Sequence, residues 1–121
     1  MEKTTLVLGA SANPERFSYK AVKSLEKRHI PVIAIGLREA VIGDLKINKT
    51  MPEDAGAIHT VTLYMNAKNQ TGYYDFIFSL KPERIIFNPG TWNPELAAMA
   101  RKKGIEVVDD CMLAMLSCGQ F

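Results

Sequence analysis

Short apolar runs rich in β-branched residues recur along the chain: "TTLVLG" at 4–9, "PVIAIG" at 31–36, "HTVTLYM" at 59–65, "RIIFNPG" at 84–90 and "IEVVDD" at 105–110. Segments with helical spacing alternate with them, the signature of a parallel sheet covered on both faces. The first such segment carries Phe17, Ala21, Val22 and Leu25 on one side and Lys20, Lys23, Glu26 and Lys27 largely on the other, so it is expected to pack on the sheet and turn its charges to water. A clearer helix starts from Asn93 as cap and Pro94 as first helical residue, runs through "ELAAMARKK" and stops at Gly104. Between Ala67 and Leu80 the pattern predicts a helix interrupted by Gly72, with Tyr73, Phe76, Ile77 and Leu80 as its buried candidates, and Cys111 to Leu116 predict a short closing helix. The stretch from Leu37 to Gly56, punctuated by Gly43, Pro52 and Gly56, reads as a connection with one short strand or turn around Leu45 to Ile47. Right-handed crossovers then give a three-layer α/β/α, Rossmann-like domain around a five-stranded parallel sheet in the order 3-2-1-4-5.

Length and charge narrow what such a sheet does. At 121 residues the chain fits one domain, spanning 1–121. A net charge of +2, with no basic group denser than Arg101 to Lys103, argues against a nucleic-acid or membrane-surface partner. No apolar run approaches the roughly 20 residues that cross a bilayer, and "MEKTTLVLGA" enters a strand without a signal peptide's apolar region, so a cytoplasmic location is expected. Cys111 and Cys118, about 10 Å apart along a shared helix, are too far apart for a disulfide, and with no histidine nearby they make no metal site.

Ligands of such sheets bind beyond the carboxyl ends of the strands where the chain order reverses, expected here between the first and fourth strands. The turn after the first strand reads Gly9, Ala10, Ser11, Ala12, Asn13, Pro14, without the further glycines of a G-x-G-x-x-G turn. Gly9 supplies the tight bend, the two alanines let a ligand approach the backbone, and outward amides at a helix N-terminus suit an anion, above all a diphosphate. An ordinary strand-to-helix loop is the competing interpretation. NAD-binding sheets carry an acid at the end of the second strand, whereas "AIGLREA" offers Arg38 first, which disfavours NAD and favours a ligand with an extra phosphate, NADP or coenzyme A.

The segments "GASANPERFSY", "VTLYMN" and "NPGTWNPELAAMARKKGIEVVDDC", in that order, resemble the CoA-binding domain family, the module found at the N-terminus of succinyl-CoA synthetase α subunits and as small stand-alone bacterial proteins. The resemblance covers nearly the whole chain. It implies a coenzyme A or acyl-CoA ligand held by Gly9 to Pro14 together with Arg16 and Ser18 of the same opening motif, by Arg38, by Tyr64, Met65 and Asn66 at the third strand's end, and by Phe87, Asn88, Pro89 and Gly90 at the fourth. The ligase's phosphorylated histidine belongs to a second domain that this chain lacks, and His29 and His59 are expected at the other end of the sheet, so ligase activity is not carried over.

No nucleophile and base pair stands out. Ser11 and Ser18 have no histidine predicted near them, and Asp109 and Asp110 point to opposite faces of a strand. Cys111 reads as a small buried hydrophobe, its alternative being a thiol activated at a helix N-terminus. Trp92 reads as core or rim, with a covering role over ligand or partner as the alternative. The residues thus favour a non-catalytic CoA-binding module; an NADP-linked reductase and a partner-binding subunit with a vestigial site are the alternatives. Exposed Tyr and Trp near strand ends would permit a homodimer or a separate enzyme partner.

Overall fold

Each of the five apolar runs becomes a strand in the computed structural model, which describes residues 3–53 and 55–121: β1 at Thr5–Leu8, β2 at Val32–Ile35, β5 at Thr60–Leu63, β6 at Arg84–Phe87 and β7 at Glu106–Asp109. Two further strands, β3 at Ala40–Ile42 and β4 at Leu45–Asn48, come from the segment read as a connection, where one short strand was expected. They form an antiparallel hairpin whose two-residue loop is Gly43 and Asp44, with Gly43 at φ 59, a backbone conformation that glycine adopts without penalty. The described residues therefore build a seven-stranded, mostly parallel sheet in the order β3-β4-β2-β1-β5-β6-β7.

This corrects both the expected strand number and the order. Counting only the five apolar runs, the arrangement is 2-1-3-4-5 rather than 3-2-1-4-5. The hairpin supplies the reason: β4 pairs in parallel with β2, matching Ala34 to Ile47 and Ile35 to Asn48, and so occupies the outer edge of β2 that the third run would have taken. That run, β5, pairs instead with the other side of β1, Leu6 opposite Val61 and Leu8 opposite Leu63. The switch in strand order consequently falls between β1 and β5 rather than between β1 and β6.

Helices cover both faces. On one, α1 (Phe17–Lys27) and α5 (Met112–Ser117) pack Ala21, Val22, Leu25, Met112, Met115 and Leu116 against Val7, Ala34 and Ile86. On the other, α2 (Ala67–Gln70), a single 3₁₀ turn (Thr71–Tyr73), α3 (Tyr74–Ser79) and α4 (Pro94–Lys102) pack around Leu6, Leu8, Val61, Leu63, Ile85 and Phe87. The alternation along β6, Ile85 and Phe87 to one core and Ile86 to the other, is the two-residue period of a strand. The cap signals of α4 hold in detail: Asn93 Oδ1 accepts from Leu96 N–H at 3.1 Å, Pro94 starts the helix, and Gly104 follows it at φ 77. For α1 the buried set is Ser18, Ala21, Val22 and Leu25, and Phe17, expected inward, is 66% exposed.

Candidate functional site

Three strand ends meet over the sheet's carboxyl edge and enclose a cavity of about 940 Å³. Gly9 holds the turn after β1 between its neighbours. Gly9 N–H and Ala10 N–H both donate to the Ile35 carbonyl of β2 at 2.9 Å, and a Cβ on Gly9, whose φ is 96, would meet the backbone of Tyr64 and Met65 at 3.1–3.2 Å. Gly36 closes the other side: a Cβ there would stand 2.4 Å from the Ala10 carbonyl oxygen. The backbones of β2, the β1 turn and β5 are thus in close contact, and only glycine fits at the two crossings.

The amides expected to face a ligand divide into two sets. Those of Gly9 and Ala10 are taken by the Ile35 carbonyl. Ser11 Oγ accepts from Asn13 N–H at 3.1 Å, and Asn13 Oδ1 from Glu15 N–H at 3.0 Å, so the turn is braced by its own side chains. Ser11 N–H and Ala12 N–H donate to no described residue; they lie in the turn six and five residues before Phe17, the first residue of α1, whose N-cap, Arg16, makes no side-chain capping bond. Two free amides and a helix of three turns give an anion-binding end.

The charge pattern of the cavity wall points the same way. Arg16 and Arg38 line it, no aspartate or glutamate does, and neither guanidinium pairs with a carboxylate among the described residues. A wall carrying two cations and no counter-charge selects an anionic ligand.

Of the expected contact residues, the cavity brings together Gly9, Ala10, Ser11, Asn13, Arg16, Ser18, Arg38, Tyr64, Met65, Asn66, Asn88 and Pro89. Ala12, Pro14 and Gly90 flank it without lining it, and Phe87 is turned away: it is fully buried in the core on the α3–α4 face, edge-to-face with Trp92 at 5.2 Å between centroids. Trp92 itself lines no part of the cavity. Asn88 lines it, but its side chain is already committed. Nδ2 donates to Thr62 Oγ1 at 2.6 Å and to the Leu63 carbonyl at 2.9 Å, while Oδ1 accepts from Met112 N–H at 2.9 Å, so Asn88 ties β5 and β6 to the start of α5.

The wall also holds Leu37, Thr91 and Cys111, which the sequence places at or just beyond strand ends, and Phe17, Asn69, Tyr73 and Leu113, which were not read from it. Asn66, Asn69 and Tyr73 recur at helical spacing, a signal that locates the latter two once Asn66 is placed. Behind this wall lies a buried polar chain. Gln70 donates from Nε2 to the Met65 carbonyl at 2.8 Å and the Thr91 carbonyl at 2.7 Å, and its Oε1 accepts from Asn93 Nδ2, which also donates to the Tyr74 hydroxyl. It locks the loop after β6 to the segment after β5.

Tyr64 sits where β5 ends, its hydroxyl buried without a hydrogen-bond partner among the described residues, and burial pushes the phenol above its ordinary range. Cys111, partly buried at the N-cap of α5, faces the same cavity, where burial as a core hydrophobe was expected; Cys118 is exposed beyond the other end of that helix, and neither forms a disulfide. His59 lies at the opposite, amino end of the sheet as expected, and no group of three His, Cys, Asp or Glu among the described residues is placed to hold a metal. Among the described residues no helix is long and apolar enough to cross a membrane.

A family described as the CoA binding domain matches residues 3–117. The chain belongs to that family. Its fold is shared by solved structures, among them an uncharacterized protein with 41% identity and a TM-score of 0.94, the match covering 100% of this chain and 99% of the other. A hypothetical protein from Pyrococcus horikoshii OT3 has 24% identity and a TM-score of 0.83, covering 93% of this CoA binding domain and 80% of that chain. A Thermus thermophilus protein has 18% identity and a TM-score of 0.87, covering 99% and 91%. No curated protein matches.

Proposed function

We propose that this domain binds coenzyme A or an acyl-CoA in the cavity over the carboxyl edge of its sheet, as a binding module without catalytic activity of its own. One observation carries the reading: the wall of an approximately 940 Å³ cavity contains two arginines unpaired among the described residues and no carboxylate, with the free Ser11 amide of the turn after β1 in the same wall. The diphosphate occupies the Ser11 amide and Arg16, both in the cavity wall, and Arg38 takes the 3′-phosphate that distinguishes coenzyme A from its dephospho form. The family match supports the ligand class. Chemistry finds few tools here: the wall itself contains no His, Lys, Asp or Glu, and the carboxylate next to Cys111, that of Asp110, accepts from the Cys111 backbone N–H at 2.7 Å and lies outside the wall.

A thermal-shift series tests this. Coenzyme A at about 100 times its dissociation constant raises the unfolding free energy by about 2.7 kcal/mol, several degrees for a domain of this size. Dephospho-CoA gives a smaller shift at equal concentration, and Arg38→Ala abolishes the difference. A shift by NADP alone would replace this reading with the reductase one, and no shift by any nucleotide would favour a partner-binding role.

A further inference from the structure

Cys111 brings a nucleophilic sulfur to the cavity: it lines the wall as a free, partly buried thiol, whereas Cys118 is exposed and lines none of it. The sheet sets its distance from the anion-binding turn. Ser11 stands just beyond β1 and Cys111 just beyond β7, with β5 and β6 between them, so three strand spacings of about 4.8 Å hold the two about 14 Å apart. The wall around Cys111, with Met65, Tyr73 and Leu113, carries no charge. Tyr64, close enough to Cys111 to feel its charge, lines the same wall with its hydroxyl buried and unpartnered among the described residues, a donor left for a carbonyl of a bound ligand.

We propose that Cys111 forms a mixed disulfide with the ligand's thiol, so that an oxidised form of the ligand turns reversible binding in this cavity into covalent retention. This rests on the coenzyme A reading above. The lengths decide it. Coenzyme A ends in a thiol, and its uncharged arm places about thirteen bonds between that sulfur and the nearer phosphorus, about 15 Å when extended at about 1.2 Å per bond. A diphosphate at Ser11 and Arg16 therefore puts the sulfur at Cys111, with the amides of the arm passing the Tyr64 hydroxyl. The co-reactant is a disulfide of the same ligand. The Cys111 thiolate attacks the sulfur of the seated half, the bond between the halves breaks, and the other half leaves as a thiolate and takes up the proton that Cys111 released. One disulfide replaces another, so no further electron acceptor is consumed. The exchange is stoichiometric rather than catalytic, in keeping with a wall that holds no His, Lys, Asp or Glu, and a reducing thiol reverses it.

Mass spectrometry of the whole chain and its peptides, after incubation with coenzyme A disulfide or with hydroxyethyl disulfide at equal concentration, tests this. Cys111 is modified about tenfold faster by coenzyme A disulfide, because seating raises the local concentration of its sulfur to the order of millimolar, whereas Cys118 shows no such preference. Saturating acetyl-CoA, whose sulfur is blocked, protects Cys111 and leaves Cys118 unprotected. Arg38→Ala slows the Cys111 reaction with coenzyme A disulfide and leaves that with hydroxyethyl disulfide unchanged. Equal rates at Cys111 for the two disulfides, in a protein whose melting temperature coenzyme A still raises under reducing conditions, would overturn the mixed disulfide and leave the binding reading intact. Equal rates together with no thermal shift by coenzyme A would overturn both.

Discussion

Gly36 and Gly72 predict opposite responses to the same added methyl group. A Cβ at Gly36 would stand 2.4 Å from the Ala10 carbonyl oxygen and 3.1 Å from Ile47 Cγ2. The backbone around it is pinned, Ala10 N–H to Ile35 and Gly36 N–H to the Asn48 carbonyl at 3.0 Å, so the clash is relieved only by moving the turn after β1. Gly36→Ala is expected to cost about 1–3 kcal/mol in urea unfolding and to weaken coenzyme A binding beyond its effect on stability, because Ser11 and Ala12 move with the turn. At Gly72 no heavy atom lies within 4 Å of the added Cβ and φ is ordinary. Gly72→Ala is therefore expected to be neutral or to stabilise by about 0.4–1 kcal/mol, through the lost freedom of the unfolded chain. A destabilising Gly72→Ala and a silent Gly36→Ala would contradict the backbone geometry on which the cavity rests.

At the scale of elements, what could be read from the sequence was whatever is decided locally. The apolar runs marked β1, β2, β5, β6 and β7, and Asn93, Pro94 and Gly104 marked both ends of α4, because caps and turns act within a few residues. Strand order is not local. It depended on β3 and β4, two strands of three and four residues around Gly43 and Asp44, too short to show a convincing alternation, yet sufficient to fill the edge of β2. The inward face of α1 was misread by one residue for a related reason: Ser18, Ala21, Val22 and Leu25 follow the i, i+3, i+4, i+7 rule, but the pattern opens on a serine and Phe17 was the more apolar neighbour. The turn and the arginines of the site could be found, since each lies beside a strand end. The chain of Gln70, Asn93 and Tyr74 could not, because its members meet only after α2 and α4 have packed. Gln70 is fully buried, and its removal strands the carbonyls of Met65 and Thr91 together with the Asn93 amide. Gln70→Ala is accordingly expected to cost more than one ordinary hydrogen bond, about 2–3 kcal/mol, measured by chemical denaturation, with raised hydrogen exchange at Asn88 to Thr91 as its local mark.

Across the whole molecule the sheet separates two kinds of polar chemistry, the cavity at its carboxyl edge and a buried cluster at its amino edge. There Arg84 Nε donates to Thr60 Oγ1 at 2.8 Å with its guanidinium 4.2 Å from the Phe121 ring centroid, and His59 lies 2.7 Å from the same hydroxyl and 3.5 Å from Glu83. Burial lowers the His59 pKa below its ordinary 6.5, the nearby Glu83 opposing that in part. In the unfolded chain His59 therefore binds its proton at higher pH than in the folded one, so its contribution to stability is present above about pH 6.5 and is lost as pH falls through the depressed value. His59→Gln is expected to remove this portion of acid sensitivity, seen as a flatter dependence of unfolding free energy between pH 7.5 and 5.5. Ligand binding has a separate pH dependence, because a 3′-phosphate monoester itself loses charge near pH 6. The two effects arise at opposite edges of the sheet, His59 ahead of β5 and Arg38 beyond β2, separated by at least the length of a four-residue strand, about 13 Å, and distant sites with no shared partner add. The stabilisation conferred by coenzyme A is thus expected to decline with acid equally in wild type and His59→Gln, and to decline less for dephospho-CoA in both. A histidine substitution that altered the ligand increment would show the two edges of the sheet to be coupled, and the cavity's charge to extend beyond the arginines that line it.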